Sequence, residues 1–119
     1  MREGVNLAEK LDLVDEVFSP KIVARYNDSK VMVAKVRGEF VWHAHDDTDD
    51  LFLVLSGRLT IDLRDRSVEV GPGELYVVPR GVEHRPRADE ATHILLVERA
   101  GTPNTGDSTE RAPAREEEI

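Results

Sequence analysis

Residues 38–57 read GEFVWHAHDDTDDLFLVLSG, and this stretch decides the fold. Its second half, Leu51-Phe52-Leu53-Val54-Leu55, is apolar at every position, so both faces of the strand it forms need cover. That cover comes either from a second subunit or from a central place within one chain; the pattern allows both. Its first half ends in Trp42-His43-Ala44-His45, and Asp46–Asp50 separates the two halves as a polar connection.

Working outward, the chain from Lys21 to Glu98 reads as short strands between turn signals. The expected strands are Lys21–Tyr26, Lys30–Arg37, Phe40–His45, Leu51–Leu55, Leu59–Leu63, Ser67–Val70, Leu75–Val78 and His93–Glu98. They are broken by Asn27-Asp28-Ser29, Ser56-Gly57, Gly71-Pro72-Gly73 and Pro79-Arg80-Gly81. Leu59, Ile61 and Leu63 alternate with Thr60, Asp62 and Arg64, the period of a strand with one wet face. Many short strands at regular spacing predict an all-β sandwich or barrel. Before them, Asn6 is placed to cap a short helix over Asn6–Val14, with Glu9 three residues on and Leu7, Leu11 and Val14 at helical spacing. After them, GTPNTGDSTERAPAREEEI (101–119) is rich in Gly, Pro, Thr and charge and predicts a disordered acidic tail. The organisation expected is therefore a lead-in over 1–20, a barrel over 21–100 and a flexible tail over 101–119.

The chain has 119 residues, 24 acidic and 16 basic side chains, no cysteine and a net charge of -8. The length suits one domain. The missing cysteines rule out disulfides, thiolate metal sites and a cysteine nucleophile. An acidic balance opposes nucleic-acid binding, which needs a basic stripe. No apolar run approaches a membrane span, and the N-terminus holds no signal core, so a soluble cytoplasmic protein is expected. The acidity is local: Asp46, Asp47, Asp49 and Asp50 carry four of the charges, and 107–118 holds five acids against two arginines. The first group lies where cations would be favoured.

Four histidines are present: His43, His45, His84 and His93. His43 and His45, at i and i+2, project from one face of a strand about 6.6 Å apart. Each can offer a nitrogen to one divalent metal at about 2.0–2.1 Å. His-x-His alone is also an ordinary polar strand end, and a third ligand must come from elsewhere. Asp50 opens the next strand and could return to the pair across a short connection, while His84 follows the turn at Pro79-Arg80-Gly81. Three imidazoles and a carboxylate suit Fe(II), Mn(II), Ni(II), Zn(II) or Cu(II) better than Ca(II) or Mg(II). Asp46 and Asp47 read as a solvated loop, and Asp49 as facing away. His93, in step with Leu95 and Val97, reads as a barrel histidine and Trp42 as a packing residue. Phe52 and Tyr76 read as core, and Arg80, Arg85 and Arg87 as surface charges, with Arg85 the best placed to meet a substrate anion.

The combination resembles the cupin family. Gly38 through His43-Ala44-His45, four residues, Asp50, six residues and Gly57 are similar to its first motif; Gly73, five residues, Pro79-Arg80-Gly81, two residues and His84 are similar to its second. The resemblance covers about Val36 to Glu98. It implies a double-stranded β-helix, a jelly-roll barrel, with one divalent transition metal at His43, His45, Asp50 and His84 near one end. Three departures stand out: Gly38 to His43 is one residue shorter than usual, Asp50 stands for the usual glutamate, and Ala88 for a frequent asparagine.

No nucleophile elbow, dinucleotide fingerprint or phosphate-binding loop is present. Three functions remain: an enzyme, with metal-dependent oxygen chemistry on a small organic substrate favoured over isomerase chemistry; a non-catalytic metal or small-ligand binding or sensing module; and a structural barrel whose site has decayed. A homodimer is expected through the apolar face of Leu51, Leu53 and Leu55, with the N-terminal strand crossing to the neighbour.

Overall fold

The computed structural model describes residues 3–119. One short helix precedes seven strands: α1 (Leu7–Leu11), β1 (Lys21–Tyr26), β2 (Ser29–Glu39), β3 (Asp50–Ser56), β4 (Leu59–Leu63), β5 (Ser67–Val70), β6 (Leu75–Val78) and β7 (His84–Arg99). The Asn6 side chain accepts a hydrogen bond from the Glu9 backbone at 3.0 Å and so starts α1 as expected. The helix stops earlier than its periodicity predicts. Leu13 and Val14 donate three residues back, to Lys10 and Leu11, which tightens the turn and ends the α pattern. Val14 is nevertheless fully buried, against Leu11 and Val33.

All strand pairings are antiparallel, and the main sheet runs β1-β2-β7-β3-β6. β7 joins the two layers of the barrel. Its first residues, His84–Arg87, pair with β4, its later residues pair with β3, and β2 follows its other edge over nearly the whole length. β5 pairs only with β4. Alternation along β2, β3 and β7 sends Met32, Ala34, Val36, Phe52, Val54, Ile94 and Leu96 into one core. Gly57 sits at φ +86 where an added Cβ would strike Thr92, so the β3–β4 turn accepts only glycine.

Two expected strands need correction. Phe40–His45 is irregular and is tied to β7 by a bridge between His43 and His84 and by the Phe40 amide, which donates to the Pro86 carbonyl at 2.9 Å. β7 begins at His84 and not at His93, because its polar first half alternates buried His84, Pro86 and Ala88 with half-exposed arginines. The tail is also different from expectation. Residues 117–119 pair in parallel with Ile22 of β1, the Ile22 amide donating to Glu117 and the Ile119 amide to Ile22. Arg25 and Lys21 hold Glu118 and Glu117 through ion pairs, and Thr102 and Thr105 are buried. A segment poor in apolar residues docks here by saturating the edge of β1.

The outward face of β3, β6 and β7 carries Leu51, Leu53, Leu75, Val77, Leu95 and Val97 in paired register. Leu75 is 58% exposed and Val77 38%. α1 covers the neighbouring part of this face, where Leu55 meets Leu11, Val14 and Val33. β3 is thus covered inside by its own barrel and only partly outside. β1, expected to cross to a neighbour, pairs with β2 of its own chain. No helix among the described residues is long and apolar enough to cross a membrane.

Candidate metal centre

His43, His45, Asp50 and His84 meet at one end of the barrel, all buried, with one ligand atom of each within 4.8 Å of the others. The backbone builds this convergence. His43 and His84 exchange amide–carbonyl hydrogen bonds of 3.0 and 2.9 Å, and the Gly81 amide donates to the His45 carbonyl at 2.7 Å. The loop after β2 is thereby tied to the turn before β7.

Side-chain contacts then aim the rings. His43 Nδ1 lies 2.9 Å from the Val41 carbonyl and His84 Nδ1 2.9 Å from the Val82 carbonyl. A carbonyl only accepts, so in the neutral ring the proton sits on Nδ1 and Nε2 presents the lone pair. This is how histidine is prepared as a ligand. Asp50 Oδ2 stands 3.3 Å from His45 Nε2 and 3.6 Å from His84 Nε2. Among the described residues, His84 Nε2, both ring nitrogens of His45 and Asp50 Oδ1 are buried without a hydrogen-bond partner. Buried polar atoms are rarely left so. A transition-metal ion would satisfy several at once, since opposite ligands on 2.0–2.1 Å bonds lie about 4.2 Å apart. The donor set therefore fits the group that the sequence implies.

The electrostatics agree with a cationic occupant. Burial first, and then the neighbouring His84, lower the His43 pKa to about 4, leaving a neutral ring at pH 7. Burial would raise the Asp50 carboxyl, but His45 and His84 outweigh it and hold the group below its ordinary range. A neutral imidazole and an ionised carboxylate are the states that ligate metal.

Glu98 is a site residue that the sequence reading missed. Glu98 is 97% buried, and its carboxyl oxygens lie 3.9 Å from His45 Nε2 and 3.6 Å from Lys30 Nζ. Burial, and next the charge of Asp50, push its carboxyl far above the usual carboxylate range, against the pull of Lys30. A signal was available: Glu98 shares inward parity with Ile94 and Leu96, where an acid is out of place. Beside it lies a cavity of about 40 Å³, with His43, Asp50 and Glu98 on its polar side and Phe18, Met32 and Phe52 among its apolar walls. About 10–15 Å³ of such space holds one water, so this one takes a few waters or a small ligand group.

The remaining candidates lie elsewhere. Asp46 and Asp47 are exposed, and Asp49 Oδ1 accepts from the Arg80 amide at 2.9 Å on the outer side of the loop. His93 stands on the outward face of β7, outside the cluster. Trp42 packs under the Arg64 guanidinium, 3.9 Å from the ring centroid, and Tyr76 packs against the core. Arg85 and Arg87 are engaged with Asp62, and Arg85 with Glu39.

The cupin domain family, Cupin_2, matches residues 30–98, and the chain belongs to it. It is 36% identical over 99 residues to the uncharacterized protein YdbB of Bacillus subtilis, covering 82% of this chain and 88% of that protein. A solved cupin-2 domain protein from Shewanella frigidimarina superposes with a TM-score of 0.78 at 43% identity, over 80% of this chain and 93% of that one. Acireductone dioxygenase 4 of Arabidopsis thaliana is 29% identical over 92 residues; the match spans 73% of this chain but only 44% of that enzyme.

Proposed function

We propose that the protein binds one divalent transition metal through His43, His45, Asp50 and His84 and uses it on a small organic molecule held in the barrel. The observation that carries this reading is the set of orphaned, buried nitrogen and oxygen atoms converging on one point. Three imidazoles and one carboxylate favour Fe, Mn, Ni, Zn or Cu. A metal held by these four residues would supply Lewis acidity or redox chemistry. The chain contributes the rest: His43 and His84 are fixed in one tautomer by their carbonyl partners, and Asp50 lowers the net charge of the site. Phe52 and Met32 keep its apolar side dry, and Glu98 places a carboxyl within reach of a bound ligand.

Among reactions, oxygen chemistry is the favoured assignment, supported by the partial likeness to a plant dioxygenase. Tag-free protein reconstituted with Fe(II) should consume oxygen in the presence of a diketone, phenol or hydroxy acid. No turnover with any metal form across such a panel would reject the enzymatic assignment. A non-catalytic metal or ligand module is the second reading, favoured by the small cavity, about 40 Å³. It predicts tight metal binding with no coordination position open to added azide.

The same reading includes a homodimer through the outward face of β3, β6 and β7, where Leu51, Leu53, Leu75 and Val77 leave apolar surface open. Light scattering should report twice the 13.4 kDa chain mass, and Leu75→Glu should return it to the monomer mass. A monomer in the unaltered protein rejects this assembly.

A further inference from the structure

The C-terminal segment reaches the metal centre itself. Ala44, between the two histidines of the His-x-His pair, donates its amide to Asp107 Oδ1 at 2.8 Å. The Asp107 amide donates back to the Ala44 carbonyl at 3.1 Å. One residue of the tail therefore answers both backbone groups of the residue joining two candidate ligands. Gly106 lies so close beneath that an added Cβ would meet the Ala44 carbonyl and the edge of the His43 ring.

The contact is held in place from both sides. Lys30 Nζ donates to the Thr102 carbonyl at 2.8 Å, and the Asn104 side chain donates to the Phe18 carbonyl and accepts from the Ala114 amide. Asn104 also lines the cavity beside His43 and Asp50. Residues 101–108 lie beyond the family match, which ends at residue 98. The 40–49 segment needs such support: it is irregular, with one sheet bridge, and its backbone groups have few strand partners.

We propose that Asp107 is a positioning residue of the metal centre, clamping Ala44 so that His43 and His45 are held in ligating geometry. The proposal rests on the metal-binding reading above. Removing a group that orients a ligand weakens metal affinity by about 10–100-fold. Asp107 is exposed at its own surface, so its replacement leaves the packed side of the turn intact.

The test is a Co(II) titration of the full-length, tag-free, chelator-stripped protein, followed by visible absorption and by calorimetry. Asp107→Ala should bind Co(II) at least tenfold more weakly, with a changed absorption band. Asp107→Asn keeps an oxygen acceptor for the Ala44 amide and should stay within about threefold of the unaltered protein. Arg25→Ala, which breaks the ion pair between β1 and Glu118, should bind as the unaltered protein does. Unchanged affinity and band in Asp107→Ala would overturn the clamp while leaving the metal site standing. Equal weakening by Arg25→Ala, or no rescue by asparagine, would also overturn it, by reducing the effect to tail docking or charge. If the unaltered protein binds no Co(II), or a His43→Ala/His45→Ala variant binds it equally well, the metal reading fails and takes the clamp with it. Should Asp107→Ala not fold, Asp107→Glu, whose longer arm carries the acceptor past the Ala44 amide, takes its place with the same expectation.

Discussion

Two polar clusters are built on this barrel, and they are completed in opposite ways. Around Asp62, Oδ2 accepts from Arg85 Nε and Nη2 at 3.1 and 2.8 Å and from Arg87 Nε at 2.9 Å, while Oδ1 accepts from Ser67 at 2.7 Å. Burial raises the Asp62 carboxyl, but these partners, Arg87 foremost, outweigh it and hold the pKa at about 2. Around Asp50 the groups are more deeply buried, yet Asp50 Oδ1, both nitrogens of His45 and His84 Nε2 are unanswered. Each such orphan costs about 1–3 kcal/mol. A complete cluster has nothing left to offer a ligand and serves the fold. An incomplete one lowers the stability of the empty protein and is ready for an ion.

The largest expected effect breaks the incomplete cluster. Protein purified without a histidine tag should carry about one transition-metal ion per chain by plasma mass spectrometry. His43→Ala/His45→Ala should carry nearly none, and Asp62→Ala should carry as much as the unaltered protein. Equal loss in Asp62→Ala would erase the distinction between the clusters.

Acid titrates the same contrast. His43 has its pKa lowered from 6.5 to about 4 in the folded protein, so the unfolded chain binds more protons between these values. Its contribution is intact above pH 6.5 and is lost as pH falls toward 4. For the metal-free protein the loss is on the order of 3 kcal/mol. Urea unfolding at pH 7.5, 6 and 5 should show this fall, and His43→Phe should flatten it. Parallel curves for the two proteins would assign the acid sensitivity elsewhere.

Asp62→Ala strands two arginines that are 28% and 33% exposed, so a loss of about 1–2 kcal/mol is expected in the same unfolding assay. Glu98→Gln should change stability by less than about 1 kcal/mol at pH 7, because burial and Asp50 keep that carboxyl neutral and glutamine preserves its shape. A loss of about 3 kcal/mol or more would instead mark Glu98 as a buried anion paired with Lys30.

Legibility in the sequence follows the range of the interactions. β1, β4, β5 and β6 lie where alternation and turn residues put them, because those signals act over a few residues. Phe40–His45 alternates convincingly but has hardly any partner strand, its edge being used to bring His43 against His84. The first half of β7 looks like a polar loop because its arginines face Asp62 and solvent. His43, His45, Asp50 and His84 were singled out together by motif spacing, and they do converge. Glu98 closes the expected strand His93–Glu98, and its parity with Ile94 and Leu96 points it inward.

Strand periodicity alone called for an all-β chain, and the resemblance to the cupin motifs implied a barrel and four side chains able to share one ion. Periodicity selects strands, and the spacing of histidines about two turns selects a pole. Tertiary structure decided which polar groups find partners. Asp62 finds its arginines 23 and 25 residues away, and Asp107 finds Ala44 63 residues away. Asp50 meets imidazoles with nitrogens to spare and the buried Glu98 carboxyl. Satisfaction of a buried hydrogen bond depends on what the folded chain brings within about 3 Å, and no local pattern encodes that. The acidic tail completes the edge of β1 and the histidine loop, and those needs exist only once the barrel has closed.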